Sequence, residues 1–159
     1  RLALRGKLNR NLLDLLLADA YFRQAPPKSA GREQYGDAFI SHLLQTKLAL
    51  EDLLATATAF TAASVALGIE RFIAPKFEVH ECIASGGGVH NPLLMSQLQG
   101  FLPGSRVFTT DELGIASDAK EAIAFALFAV ATKLGRPANL PSATGASHPV
   151  VLGQIHPGN

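Results

Sequence analysis

The chain has no tryptophan, one methionine and one cysteine among its 159 residues. A single cysteine excludes a disulfide within the chain, so we expect a reducing compartment, the cytoplasm. Cys82 lies within an apolar run, where a thiol is more often buried and inert than nucleophilic. The sequence therefore predicts neither a disulfide framework nor a catalytic thiol.

An excess of charge of either sign is also missing. The chain has 14 basic and 13 acidic residues and a net charge of +1, which argues against nucleic acid or an anionic membrane as a partner. No signal-peptide pattern is visible, and the most apolar run, residues 122–131, is too short to cross a bilayer. With 48% hydrophobic and 17% charged residues, the composition is that of one globular domain with a core.

Several common functional motifs are missing as well. No histidine has a second histidine, a cysteine or an acid at ligand spacing within a predicted helix, so we expect no metal site built from the histidines. There is no Gly-x-Ser-x-Gly elbow, which argues against a serine hydrolase. The sequence has no Gly-Lys-Ser/Thr after its consecutive glycines, which excludes a P-loop.

The most informative stretch is EVHECIASGGGVHN, residues 78–91. An apolar run that predicts a short buried strand ends in Gly86, Gly87 and Gly88, which lack side chains that would obstruct a ligand. Asn91 is a good N-cap for a following helix, and Pro92 suits its first position. Backbone N–H groups and a helix N-terminus would converge there, an arrangement that binds phosphate or nucleotide. A purely structural turn is the alternative interpretation.

A dinucleotide-binding turn is a second alternative for the same glycines. Gly86 and Gly88 fit the first two glycines of that fingerprint, but Asn91 occupies the third position. Asp111 lies at a plausible distance for an acid that binds ribose. This alternative predicts an oxidoreductase that binds NAD(H).

Hydrophobic spacing and capping residues predict an α/β fold with a short sheet flanked by long helices. A strand over Arg106–Thr109 completes a strand–helix–strand unit, the building block of a parallel sheet. Predicted helices cover residues 11–18, 37–44, 48–67, 92–101 and 117–134.

Two of these helices carry more detailed predictions. Residues 48–67 predict a slim core helix that ends at Gly68, with the hydroxyls of Thr56, Thr58 and Thr61 bonded to carbonyls one turn earlier. Residues 122–131 are apolar nearly all round, which predicts burial on more than one face.

Four charged residues are candidates for a site. Asp118 and Glu121 have the spacing of a capping box, and the alternative is that one of them points into a cleft. Lys28 and Arg32 lie on a loop with serine and glycine, where they would either contact an anion or lie on a solvated surface.

Taken together, several segments resemble the anhydro-N-acetylmuramic acid kinases of bacterial cell-wall recycling. They follow the family's order and cover nearly all of the chain, which is identified as the C-terminal half of a member. The segments are PPKSAGRE (residues 26–33), DLLATATAFTAASVA (52–66), SGGGVHNPLLM (85–95), ELGIASDAKEAIAFALFA (112–129) and NLPSATGASHPVVLGQIHPG (139–158).

The resemblance implies an actin/hexokinase-like (ribonuclease H-like) lobe, one of two that close on ATP and sugar. Family members use water to open the 1,6-anhydro bridge and transfer the γ-phosphoryl group of ATP to the freed 6-hydroxyl, with Mg²⁺ required. The phosphate loop and the catalytic aspartate, which is the general base, are expected in a lobe that precedes Arg1. We therefore expect the chain, which begins at Arg1 without an initiator methionine, to be a piece of a longer protein and to be inactive by itself.

On this resemblance, Gly86, Gly87, Gly88 and Asn91 form the nucleotide site. Glu121 is expected to face the cleft as a supporting acid that contacts the sugar or orients water. Lys28 and Arg32 are expected to contact the lactyl carboxylate or the phosphates, and no metal ligand is expected in this chain. A competing hypothesis is a non-catalytic nucleotide-binding module with an actin-like half-fold, and a homodimer through residues 119–134 is a further expectation.

Overall fold

The computed structural model describes residues 2–158 and has an α/β fold, as predicted at that level. Two strands, β1 (Glu81–Ala84) and β2 (Arg106–Thr109), form a parallel sheet. The helices are α1 (Arg10–Leu17), α2 (Arg32–Tyr35), α3 (Asp37–Gln45), α4 (Leu50–Phe72), α5 (Pro92–Phe101), α6 (Lys120–Lys133) and α7 (Pro141–Thr144).

Arg1 lies outside the described residues. The phosphate loop and the general base are expected in a lobe that precedes this residue. This preceding lobe stays a prediction.

Helix α4 is the scaffold of the fold, as its sequence predicts. Phe60 packs among three other aromatic rings, those of Phe22, Tyr35 and Phe39, with ring centroids 5.7, 6.0 and 5.9 Å away. We call these four rings the aromatic cluster. Burial of this cluster raises the pKa of Tyr35. The same core contains buried side chains of α1 and α4, namely Leu12, Leu13, Leu16, Leu53, Ala59 and Ala63.

The predicted threonine hydrogen bonds within α4 are confirmed. The hydroxyls of Thr56, Thr58 and Thr61 donate to carbonyls one turn earlier at 2.7, 2.7 and 3.1 Å. Thr56 is fully buried, and its oxygen also accepts the backbone N–H of Asn9 at 3.0 Å. This hydroxyl therefore joins the beginning of α1 to α4.

The predicted end of α4 at Gly68 is wrong, because the helix continues to Phe72. A glycine inside a helix costs about 1 kcal/mol relative to alanine. The extra turn compensates with further backbone hydrogen bonds, such as Ile73 N–H to the Ile69 carbonyl at 3.0 Å, and with the packing of Ile69 beneath α5. Tertiary contacts therefore outweigh the local signal.

By length and composition, α4 would also be long and apolar enough to cross a membrane. It meets this test among residues 2–158, but 44% of its most apolar window is buried inside the fold. Its buried side chains pack on α1 and α5. The core helix of a globular domain passes the same test, so this finding is weak evidence for a span.

The strand–helix–strand unit is confirmed, with Cys82 paired to Val107 and Ile83 to Phe108. Helix α5 closes one face of the sheet and packs on α4 through Ala62, Ala66, Leu98 and Leu102. Burial on that face raises the pKa of the Cys82 thiol, in line with the predicted inert role.

The prediction that β1 is buried is wrong for Ile83, which is 48% exposed. Paired residues of parallel strands share a face, and Cys82 and Val107 face α4 and α5. Ile83 lies on the opposite face, which the described residues leave partly uncovered.

The predicted burial of α6 on several faces is also wrong. None of its residues is buried, and Phe125 and Leu127 are 70% and 64% exposed. Its tie to the tail is a hydrogen bond from the Thr132 hydroxyl to the Leu152 carbonyl. The apolar sequence is correctly read as a helix, but in residues 2–158 no helix or strand packs along its length.

Candidate functional site

The candidate site lies at the carboxyl edge of the sheet. Because β1 and β2 are parallel, the segments that follow them emerge at the same edge. We call residues 86–91 the glycine turn; they follow β1 and comprise Gly86, the 3₁₀ segment Gly87–His90 and Asn91. In open α/β sheets, ligands bind outside this edge.

The glycine turn is open to solvent on its outer side. Gly86 has a φ of 86°, in the left-handed region that favours glycine. A Cβ built on Gly86 or Gly87 would meet nothing within 4 Å, and one on Gly88 would lie 3.4 Å from Leu94 Cδ2. At Gly87 neither the φ angle nor the surrounding atoms require glycine. The bare backbone there leaves room for the close approach of a ligand.

Asn91 performs the predicted capping role. Its Oδ1 accepts the backbone N–H groups of Leu93 and Leu94 at 3.1 and 3.3 Å, and Pro92 occupies the first helical position. This oxygen is therefore committed to the start of α5. The side-chain NH₂ group takes no part in the cap, and the predicted contact of Asn91 with a nucleotide stays a prediction.

A polar network that sequence reasoning missed supports the glycine turn from β2. The Gly86 N–H donates to the carbonyl of Ser117 at 3.2 Å. Ser117 is 2% exposed; its N–H donates to Asp111 Oδ1 at 3.2 Å, and its hydroxyl donates to Asp111 Oδ2. Asp111 is exposed, and these hydrogen bonds from Ser117 hold the pKa of its carboxyl below the usual range.

This network bears on the dinucleotide alternative. Both carboxylate oxygens of Asp111 already accept hydrogen bonds from Ser117, so the residue closes a turn of the chain itself. A ribose-binding role would compete with those bonds. The geometry therefore weakens the interpretation as an NAD(H) site.

The predicted capping box at Asp118 and Glu121 is wrong. A 3₁₀ turn, Ser117–Ala119, precedes α6, and Ala119, the N-cap residue of α6, offers no side-chain hydrogen bond. Asp118 instead accepts His90 Nε2–H, with Nε2 lying 2.8 and 3.0 Å from its two carboxylate oxygens. A charge-assisted bond to the glycine turn takes the place of the cap.

The charged candidates lie in different places. Glu121 is exposed in the first turn of α6, three residues after Asp118. Lys28 Nζ instead donates to the Tyr21 carbonyl at 2.9 Å and lies 4.5 and 4.8 Å from the ring centroids of Tyr21 and Phe72. Arg32 is exposed at the start of α2. The contacts of Lys28 stabilise the helical part of the fold, and the substrate contacts of all three residues stay predictions.

A small apolar pocket lies beside the glycine turn. Its volume is about 110 Å³, below the several hundred Å³ of typical ligand sites. A whole nucleotide therefore does not fit inside it and would have to lie across the glycine turn. The pocket is lined by α4, the end of β1, the turn and α5, including Thr61, Val65, Ser85, Val89 and Met95.

Comparison with known proteins identifies the family. The sequence model of the family described as anhydro-N-acetylmuramic acid kinase matches residues 1–158, nearly the whole chain. The chain belongs to the anhydro-N-acetylmuramic acid kinase family. Its relatives of that name include a protein of Caldanaerobacter subterraneus subsp. tengcongensis, 45% identical over 158 residues, which are 97% of this chain and 40% of the relative.

Two further family members show the same extent of similarity. The anhydro-N-acetylmuramic acid kinase of Bacillus cereus strain 03BB102 is 40% identical over 97% of this chain and 41% of its own length. That of Clostridioides difficile strain 630 is 40% identical over 98% of this chain and 41% of its own length. The chain thus spans about two fifths of the length of the curated relatives it matches.

Proposed function

We propose that this chain is the C-terminal, nucleotide- and sugar-binding lobe of a cytoplasmic, ATP-dependent anhydro-N-acetylmuramic acid kinase. The full enzyme would hydrolyse the 1,6-anhydro bridge and phosphorylate the sugar, giving N-acetylmuramic acid 6-phosphate and ADP in peptidoglycan recycling. Membership of the family over residues 1–158 is the observation that carries the proposal.

The lobe would have an actin/hexokinase-like fold. The parallel β1–α5–β2 unit, with an open turn at its carboxyl edge, is compatible with such a lobe. Phosphoryl transfer is catalysed mainly by positioning and charge stabilisation, and the cleft needs groups from both lobes. The general base would come from the other lobe, which would precede Arg1 in the full-length protein.

The glycine turn fits the nucleotide of such an enzyme. ATP supplies the transferred phosphoryl group, and the backbone of Gly86, Gly87 and Gly88 would lie against it. The open space beyond Gly86 and Gly87 supports this placement, because a side chain there would occupy the volume that the nucleotide needs. The NH₂ group of Asn91 would supply a further donor to ribose or phosphate.

The charged residues would serve the sugar and the phosphates. Glu121 would accept hydrogen bonds from sugar hydroxyls or orient water, and its exposed position beside the glycine turn's partner Asp118 supports this role. Lys28 and Arg32 would contact the lactyl carboxylate or the phosphates. For Lys28 this contact requires its ammonium group to share or leave the Tyr21 carbonyl.

Mg²⁺ would be held mainly by the phosphates of ATP and by the other lobe. Mg²⁺ in kinases keeps several waters and few protein carboxylates. Among the described residues, no group of three or more histidines, cysteines and acids is placed to hold a metal. The ion would therefore neutralise phosphate charge without a complete cage from this chain.

The part of the relatives that this chain does not match, about three fifths of their length, would cover the exposed face of α6. A helix with Phe125 and Leu127 this exposed needs an apolar cover, and the length of the relatives beyond the match supplies a candidate. A second copy of the chain, giving a homodimer, is the other candidate. Sedimentation of a protein of full family length, with and without Phe125→Ser, distinguishes these two covers.

The experiment that tests the function is a chimera. Residues 2–158 replace the matching segment of the Caldanaerobacter relative, which restores the full family length. We expect the chimera to release ADP only when 1,6-anhydro-N-acetylmuramic acid is present, and the 159-residue chain to be inactive. An inactive chimera beside an active parent enzyme would contradict the proposed function, whereas nucleotide binding without turnover would favour the non-catalytic module.

Gly87→Ala in the active chimera tests the nucleotide site. We expect the KM for ATP to rise about tenfold, equivalent to ~1.4 kcal/mol, with the KM for the sugar little changed. Gly100→Ala is the matched control, because a Cβ there also meets nothing within 4 Å but lies in α5. An unchanged KM for ATP in Gly87→Ala would remove the glycine turn from the nucleotide site.

A further inference from the structure

The glycine turn is attached to the segment before α6 at two points. At its beginning, the Gly86 N–H donates to the Ser117 carbonyl at 3.2 Å. At its far end, His90 Nε2–H donates to the carboxylate of Asp118. The two anchors, Ser117 and Asp118, are neighbours in the 3₁₀ turn Ser117–Ala119.

That 3₁₀ turn is itself fixed to the end of β2. Ser117 is nearly fully buried and bonds Asp111 through both its N–H and its hydroxyl, with Thr110 Oγ1 3.2 Å from the same hydroxyl. The backbone that carries Asp118 is therefore held by the hydrogen bonds of its neighbour Ser117. His90 is the last residue of the 3₁₀ segment of the glycine turn, so its bond adds a second link to the 3₁₀ turn Ser117–Ala119, beside the backbone bond of Gly86.

We propose that His90 and Asp118 are positioning residues, which hold the glycine turn against the start of α6 and so set the affinity for ATP. The inference rests on the proposed kinase function. It gives the pair a role beyond folding stability, to which an exposed pair of side chains contributes little. The pair also joins the nucleotide side of the site to Glu121, one helical turn beyond Asp118.

The chemistry of the bond defines the informative variants. An ionised carboxylate only accepts hydrogen bonds, so Nε2 carries the hydrogen in this contact. His90→Gln keeps a side-chain N–H donor, whereas His90→Ala removes it. Asp118→Ala removes the acceptor and leaves the backbone bond between Gly86 and Ser117 in place.

Substitutions in the active chimera would test the pair. His90→Ala and Asp118→Ala are expected to raise the KM for ATP about fivefold, which corresponds to the upper range of the free energy of an exposed side-chain pair. The KM for the sugar should change less. His90→Gln should restore most of the affinity. The double alanine variant should be no worse than either single variant, because both lose the same contact.

Glu78→Ala is the matched control. It breaks another histidine–carboxylate pair, His80 with Glu78 at 3.6 Å, which is exposed and lies before β1. It should leave the KM for ATP unchanged. If the two site variants behave like this control in an active chimera, the positioning role is refuted while the kinase function stands.

A second measurement does not depend on activity. Amide hydrogen exchange of the 159-residue chain should show faster exchange at residues 87–91 in Asp118→Ala than in the unsubstituted chain, and no change in Glu78→Ala. Equal exchange in all three proteins would show that the pair does not hold the turn. An inactive chimera would therefore contradict the proposed function without deciding this inference, which the exchange experiment decides.

Discussion

Two regions of the molecule are held together in different ways. The aromatic cluster around Phe60 is closed by the burial of large apolar side chains on α1, α3 and α4. One backbone bond and the His90–Asp118 pair join the glycine turn to the 3₁₀ turn beside it, and Asp111 holds that 3₁₀ turn through Ser117. His90, Asp111 and Asp118 are exposed.

Because of this difference, most of the folding stability comes from a region other than the candidate site. Apolar burial gives large, non-directional stabilisation, and most of it lies in the helical region. Hydrogen bonds at the sheet edge contribute less to folding but fix directions and distances, which a ligand site needs. We expect substitutions in the first region to unfold the chain, and those in the second to change binding.

Phe60→Ala should show the largest effect. Loss of a buried aromatic side chain costs about 4 kcal/mol of the free energy of unfolding, because Phe60 contacts the three other rings of the aromatic cluster. Urea unfolding of the 159-residue chain measures it. Phe125→Ala is the control, with an expected change within about 0.5 kcal/mol, since Phe125 is largely exposed. Equal losses in the two variants would show that burial in the aromatic cluster does not set the contribution of Phe60 to stability.

Thr56→Val should have an intermediate effect, about 2 kcal/mol. The substitution keeps the shape of the side chain but leaves the backbone N–H of Asn9 without its hydroxyl acceptor in a buried place. Thr61→Val makes the same chemical change at an exposed hydroxyl that bonds one carbonyl. A smaller loss for Thr56→Val than for Thr61→Val would show that the link to α1 contributes nothing.

Asp111→Asn should have the smallest effect, a small loss of stability near neutral pH that disappears in acid. Because the folded state lowers the pKa of Asp111, its carboxylate stabilises the fold above the unfolded pKa, and this contribution is lost as pH falls through the folded pKa. The variant should therefore flatten the loss of stability below about pH 4. Ser117→Ala removes the hydroxyl that donates to Asp111. In a series of urea midpoints measured against pH, its loss of stability in acid should lie between those of the unsubstituted chain and Asp111→Asn. An unchanged slope in Asp111→Asn would contradict the assignment.

Local signals were enough to predict much of the fold. Asn91 and Pro92 predict the start of α5, and the helix begins there. The apolar runs on either side of α5 predict the parallel pair of β1 and β2. Such features depend on a few neighbouring residues, and capping oxygens, proline geometry and side-chain periodicity act over one or two turns.

The errors have a common physical cause. Gly68 lowers helix propensity, but the packing of Ile69 beneath α5 carries α4 past it. Asp118 and Glu121 fit a capping box, but His90, 28 residues away in sequence, offers Asp118 a better partner. The apolar residues of α6 predict burial, yet the described chain provides no cover for them. In each case the outcome depends on residues far away in the sequence.

The sequence alone determined the helices of the core, the bare backbone at residues 86–88, and the resemblance to one family of sugar kinases. These properties follow from side-chain chemistry and short-range geometry. Only the tertiary structure decided that Ser117 and Asp118 anchor the glycine turn, and that Lys28 packs on Tyr21 and Phe72. Hydrogen bonds and ring contacts of this kind form only after distant segments meet, because their directions are set by the packed backbone.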